Sequence, residues 1–170
     1  MPLTRIQSLG ITDGTIVNAD INASAAIAGT KLTGVANTPA FSAYPNAAQT
    51  ITSATFTKMN FQTEELDSDN NFASSRFTPT TSGYYFFTVN FSVASSATSA
   101  LIAFYKNGTE FKKSAYLVVS SVNQLNASSG LISLNGSTDY IEAYVYLATG
   151  QNLTGSSSAT WFTGFRVTGI

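Results

Sequence analysis

The chain contains no cysteine and no histidine. Without cysteine there is no disulfide to brace the fold and no thiolate nucleophile, and the redox compartment leaves no mark. Without histidine the usual general base and the commonest transition-metal ligand are missing. Charge is scarce too: Asp, Glu, Lys and Arg make up 10% of the residues, against about a quarter in ordinary soluble proteins. The one adjacent basic pair, Lys112-Lys113, is no phosphate-binding stripe, which argues against nucleic acid as a partner. No apolar run approaches the roughly 20 residues of a membrane-spanning helix, so membrane insertion is not expected. Met1 to Gly10 lacks the basic-then-apolar order of a secretory signal, so any export is expected to use another route, such as release of assembled particles by lysis.

What the chain does have is apolar and small polar material. Hydrophobic residues reach 44% and aromatics 12%, enough for a proper core. Length suits one sizeable domain with a short extension. Ser, Thr, Asn and Ala stand where most proteins place Lys and Glu, and the exposed faces of strands accept Thr and Ser readily.

Residues 1–40 differ from the rest: they hold no aromatic residue. Their aliphatics recur at Ile6, Ile11, Ile16 and Ile21, a step of five, followed by Ile27 and Leu32. Neither a helix nor a strand repeats every five residues. Turn formers at Gly10, Asp13-Gly14, Asn18 and Asp20 separate the isoleucines, so the segment reads as short extended pieces and turns. So small a segment cannot bury six aliphatics alone. Either it is a low-complexity tail, or it packs on the domain or on copies of itself as an assembly arm.

From position 41 onward the pattern is that of strands. In Tyr84–Val93 the positions Tyr85, Phe87, Val89, Phe91 and Val93 are all apolar, while the alternate set runs Tyr84, Phe86, Thr88, Asn90 and Ser92. That is period two with one buried face. Tyr140–Leu147 alternates likewise, with Ile141, Ala143, Val145 and Leu147 against Tyr140, Glu142, Tyr144 and Tyr146. Ala100–Lys106 is apolar on both faces and ends at Asn107-Gly108, the strongest short hairpin signal. Ile51–Phe61, Tyr116–Val119, Gly130–Leu134 and Thr160–Ile170 supply further strands. No stretch shows helical spacing. The expected fold is all-β: a two-sheet antiparallel jelly-roll sandwich over 41–170, with an extended arm over 1–40.

Two resemblances sharpen this reading. The run from Ile11 to Leu32, with Asp13-Gly14-Thr15-Ile16 and Asn18-Ala19-Asp20-Ile21, resembles segments in tail fibres and other structural proteins of bacteriophages. Over the domain the order is Phe41-Ser-Ala, Phe77-Thr-Pro79, Gly83-Tyr-Tyr85-Phe-Phe87, Lys106-Asn107-Gly108, Ser129-Gly130, Asp139-Tyr-Ile141 and Gly164-Phe165. That order is similar to the C1q/TNF-like jelly-roll heads. The resemblance implies a homotrimer. Independently, Tyr84, Phe86, Tyr140, Tyr144 and Tyr146 are expected to face away from the core, an aromatic load suited to a trimer interface. The alternative is that the second sheet or the arm covers these rings.

Candidate chemistry is thin. The serines lack a G-x-S-x-G elbow and a base, and clustered Glu64, Glu65, Asp67 and Asp69 read as solvated carboxylates, so no enzyme is expected. Asp67, Asp69 and Asn71 offer oxygens at alternate positions, as calcium loops do, but Phe72 and Thr78 stand where an EF-hand needs Gly and Glu. They are calcium candidates in a chain otherwise expected to need no cofactor. The expected role is a trimeric bacteriophage protein on the virion surface, at the tail or the capsid exterior. As a tail fibre or receptor-binding component it would meet a host surface glycan or protein, with Glu64–Asn71, Ser120–Ser129 and Gly150–Ser158 as candidate loops. As a capsid decoration or fibre-linking protein it would bind no receptor. In both readings Ile6, Ile11, Ile16, Ile21, Ile27 and Leu32 attach the arm to other virion proteins.

Overall fold

The structure, a computed structural model, describes residues 21, 22, 25, 36–95, 97–119 and 125–168. Contacts group Ala36–Ile170 into one compact unit. Among the described residues there is no helix. The strands, in chain order, are β1 (Ala40–Tyr44), β2 (Gln49–Ile51), β3 (Thr57–Lys58), β4 (Thr63–Asp67), β5 (Phe72–Ala73), β6 (Arg76–Phe77) and β7 (Gly83–Ser92). They continue as β8 (Ala97–Lys106), β9 (Thr109–Lys113), β10 (Leu117–Val119), β11 (Leu125–Leu134), β12 (Ile141–Leu147), β13 (Gln151–Leu153) and β14 (Trp161–Val167).

They form two antiparallel sheets. One runs β11-β7-β14-β1-β4; the other runs β10-β8-β12-β6-β5, with β3 added to β12 and β9 to β8. A two-stranded ribbon, β2-β13, joins the ends of both sheets through bridges from Ser53 to Leu147 and from Val93 to Leu153. This is a two-sheet antiparallel jelly-roll sandwich.

The alternation sets what is inside. Tyr85, Phe87, Val89 and Phe91 of β7 and Ile141, Ala143, Val145 and Leu147 of β12 are fully buried. Phe41 is the hub: its ring stacks at 4.6 Å on Phe72 and on Phe77, and meets Phe162 edge-on at 4.8 Å. Rings so arranged contribute electrostatic complementarity beyond the area they bury. The buried Tyr85 keeps its hydroxyl satisfied by donating to the Thr81 carbonyl at 2.6 Å.

Turn chemistry fixes the register. Asn107 and Gly108 both carry positive φ (54° and 78°), the type I′ geometry that matches strand twist. Between β11 and β12, Asn135 Oδ1 accepts from the backbone N–H groups of Ser137, Thr138 and Asp139.

Three expectations need correction. Ile51–Phe61 is not one strand: Ala54 sits at φ 54°, and the chain turns there between β2 and β3. Gly150–Ser158 is not an open loop, because Gln151–Leu153 pairs with β2 and Leu153 is buried. Glu64–Asn71 and Ser120–Ser129 are likewise partly strand: Thr63–Asp67 pairs with β1 and Leu125–Ser129 with β7. Polar strand residues on an exposed face read like loop residues in sequence, so the paired portions of these three candidate loops carry no strand signal of their own.

Candidate functional site

The five aromatics expected at a trimer interface do point away from the core, but on two different sheets. Tyr84 and Phe86 lie on β7, in the five-stranded sheet; Tyr144 and Tyr146 lie on β12 in the other, with Tyr140 just before its start. They form two surfaces on opposite sides of the sandwich.

On the five-stranded side, Phe86 pairs directly with Leu131 of β11 and Phe165 of β14, and the Phe86 and Phe165 rings lie 5.8 Å apart. Tyr84 is 48% exposed, Leu131 41% and Phe165 39%. The neighbouring outward positions, Thr88, Ser129, Ser133, Thr163 and Val167, add no charge. Leu131 and Phe165 escape a reading of alternation, because both faces of their strands are apolar there. A second group of exposed apolar residues, Phe111, Tyr116 and Val118, follows β9 and β10 at one margin of the seven-stranded sheet. The same margin carries β11, since Lys112 Nζ donates to the Leu131 carbonyl at 2.8 Å.

On the seven-stranded side the rings are engaged within the chain and half-buried. Tyr144 stacks on Tyr105 with centroids 3.8 Å apart, and Tyr146 meets Phe56 at 5.6 Å. The Arg76 guanidinium lies 3.9 Å above the Tyr140 ring. Between these rings sits Glu142, 3% exposed. Its Oε1 accepts from Lys58 Nζ at 2.6 Å and from Arg76 at 2.9 Å. Burial pushes this carboxyl up, but the Lys58 and Arg76 hydrogen bonds outweigh it and hold it below the usual value. Burial raises the Tyr144 hydroxyl, with the Glu142 charge adding to the effect, and carries Tyr85 up to about 12. Asp139 is held low by hydrogen bonds from Asn107 and then from Lys106.

Beside Glu142 opens a cleft of about 380 Å³, lined by Lys58, Asn70, Asn71, Ala73, Ser74, Arg76 and Thr78. Its walls are β3 and the β5–β6 hairpin. The hairpin turn carries Ser74 and Ser75 at positive φ, and Ser75 Oγ accepts from the Phe61 N–H at 2.7 Å. Lys58 Nζ also donates to the Ser74 carbonyl at 2.9 Å. Both cations are therefore held in place before any ligand arrives.

The calcium candidates are brought together in the turn after β4, but their oxygens serve the turn itself. Asp67 accepts from the N–H groups of Asn71 and Phe72 at 3.0 and 2.8 Å. Asp69 accepts from the Ser68 hydroxyl. Asn71 Oδ1 accepts from the Thr80 N–H at 2.9 Å. Among the described residues no three acidic side chains converge as a metal site. Of the attachment candidates, Ile6, Ile11, Ile16, Ile27 and Leu32 lie outside the described residues; Ile21 is described and 40% exposed. No helix of the described residues is long and apolar enough to cross a membrane.

No sequence-family model and no curated protein sequence matches the chain. Solved structures do. The globular domain of zebrafish complement 1qA protein superposes with a TM-score of 0.59 at 15% identity, over 76% of this chain and 97% of that one. Murine APRIL gives 0.58 at 13% identity, over 75% and 98%. PRD1 vertex protein P5 gives 0.60 at 14% identity, over 78% and 99%. At such identities the likeness establishes the fold: the chain carries a jelly roll shared by TNF-like, C1q-like and viral vertex proteins.

Proposed function

We propose that the chain is a non-catalytic structural protein of a bacteriophage virion, displayed on its exterior as a homotrimer and acting in the tail as a fibre or receptor-binding component. The observation that carries the reading is the apolar stretch of outer face across β11, β7 and β14, where Tyr84, Leu131 and Phe165 stand 39 to 48% exposed. A solvated face would not normally collect such area, and contiguous apolar patches mark contacts. A ring of identical subunits needs two different patches that fit one another. The face and the margin formed by Phe111, Tyr116 and Val118 are two such patches on one subunit. A trimer is the smallest ring of this kind.

The absence of histidine and cysteine leaves no base–nucleophile pair, which supports the non-catalytic part. The arm's resemblance to phage tail segments supports the virion setting, as does the likeness to a PRD1 vertex protein. That same likeness favours a second reading, decoration or linking at the capsid without receptor binding.

Mapping the chain in intact particles by electron cryo-microscopy tests the proposal. A handful of copies at the tail, together with binding of purified protein to host cells, is the expected result. Tens to hundreds of copies on the head, with no cell binding, would replace it with the decoration reading.

A further inference from the structure

We propose that the cleft between β3 and the β5–β6 hairpin, beside Glu142 of β12, is a binding site for an acidic saccharide, with Lys58 and Arg76 receiving the anionic group and the polar lining receiving the sugar hydroxyls. The inference deepens the receptor-binding reading and rests on it for its biological meaning, though not for its test.

Charge comes first. Lys58 and Arg76 bring two positive charges to the cleft and the buried Glu142 one negative. The balance is one positive charge, in a chain whose formal net charge is −1. No acidic residue lines the cleft. Asp67, on the strand leading into the same turn, is committed to backbone N–H groups. An anion therefore finds a net attraction in the cleft.

Preorganisation comes second. Arg76 is fixed by Glu142 on one side and by the Tyr140 ring at 3.9 Å on another. Lys58 is fixed by Glu142 and by the Ser74 carbonyl. Ordering these long side chains is a cost that binding elsewhere would have to meet and that folding has already met here. A guanidinium held in one plane suits a planar carboxylate, and also a phosphate.

Shape and lining come third. The volume of about 380 Å³ falls within the roughly 300–1,000 Å³ of small-ligand sites. Asn70, Ser74 and Thr78 add an amide and two hydroxyls to its lining, groups that pair with sugar hydroxyls, while the Asn71 amide is engaged by the Thr80 N–H and the Asp69 carbonyl. Tyr140 borders it through Arg76, and the Tyr144–Tyr105 stack lies on the far side of Glu142, with the Tyr144 hydroxyl 3.4 Å from Glu142 Oε2. The cleft lining holds no large apolar side chain, which matches a hydroxyl-rich sugar better than a lipid.

The full-length protein is titrated calorimetrically with an oligogalacturonate, its carboxyl-reduced neutral counterpart, a phosphate-bearing oligosaccharide of similar length, and an oligoglutamate. Ala73 is exposed, lines the cleft and pairs with Arg76 across the hairpin, so two substitutions of equal bulk there differ only in the charge they bring to the site. Ala73→Glu places a carboxylate beside Arg76; Ala73→Gln adds the same bulk without charge. Expected is binding of the uronate, the phosphosugar or both. The neutral counterpart and the oligoglutamate should bind about tenfold or more weakly, and Ala73→Glu should bind the acidic sugar about tenfold more weakly than Ala73→Gln does. Binding of the uronate but not the phosphosugar, or the reverse, identifies which anion the site takes.

Failure to bind either acidic sugar, equal binding of the neutral sugar or of oligoglutamate, or equal losses in both variants would overturn the assignment. Host-cell binding that survives Ala73→Glu would leave the receptor reading standing and remove this site. A particle map placing the chain on the head would do the reverse.

Discussion

A Cβ added at Gly164 would stand 2.5 Å from Cδ1 of Phe87 and 2.9 Å from Cε1 of Phe41. Those rings are the centre of the aromatic core, fully buried and stacked on their neighbours, so they have nowhere to go. Gly130 is the contrasting case: its nearest neighbours, in Lys112 and Phe104, would lie at 3.5 and 3.7 Å, ordinary contact distances. Gly164→Ala is therefore expected to cost about 1–3 kcal/mol through overpacking, lowering Tm by roughly 2–4 °C per kcal/mol. Gly130→Ala is expected to stay within about 1 kcal/mol of the parent, helped by the smaller entropy of its unfolded chain. Thermal unfolding of the pair followed by circular dichroism checks both. Equal losses would mean that strand pairing, rather than ring packing, demands glycine at 164. Which rings a side chain at 164 would strike was not legible in the sequence, because that depends on how the two sheets face each other.

Among the elements, β12 shows how one carboxylate ties three segments together. Glu142 projects from β12, Lys58 from β3 and Arg76 from β6, and the two short strands have few ladder bonds of their own to hold them. Strand alternation put Glu142 on the outward face correctly, yet nothing in the local sequence says that Lys58 and Arg76, 84 and 66 residues away, would close over it. The long strands β7 and β12 were legible because one face is wholly apolar. Ile51–Phe61 was read as one strand because nothing there marks the turn at Ala54, a residue without glycine's ease at positive φ. The carboxyls of Glu142 and Asp139 are both lowered from their ordinary values of 4.5 and 3.8. A lowered folded value means the stabilisation is fully present above the unfolded value. It is lost as pH falls through that range towards the folded one. Stability measured by urea unfolding is thus expected to be flat from pH 7 to about 5 and to decline below about 4.5. Glu142→Gln should destabilise at neutral pH by an amount at or below the low end of the roughly 3–5 kcal/mol for a broken buried pair, since both cations retain water contact. It should also flatten the acid decline, leaving the part due to Asp139. An unchanged decline in that variant would assign the acid sensitivity elsewhere.

For the whole molecule, the question is which outer face would meet a neighbouring subunit in the proposed trimer. Tyr140, Tyr144 and Tyr146 lie on the seven-stranded side, where Arg76, Tyr105 and Phe56 already cover much of each ring. Tyr84, Phe86, Leu131 and Phe165 lie on the other, where the Phe86 and Phe165 rings adjoin and three of the four residues are at least 39% exposed. Burying an apolar side chain is worth roughly 1.5–3 kcal/mol, and a threefold ring repeats each contact three times, so one charge in the correct face should suffice to open it. Phe165→Glu is expected to convert a particle of three times the 17.9 kDa chain mass into single chains in light scattering at micromolar concentration. Tm should change little beyond the loss of assembly, because Phe165 is already partly in water. Tyr146→Glu, on the opposite side, should leave the threefold mass intact. If Tyr146→Glu dissociates the particle and Phe165→Glu does not, the interface lies on the tyrosine-rich sheet and the acidic-saccharide cleft is covered in the assembly. If neither does, the contact belongs to the first 40 residues, and the apolar face of the jelly roll is left for a different protein of the particle.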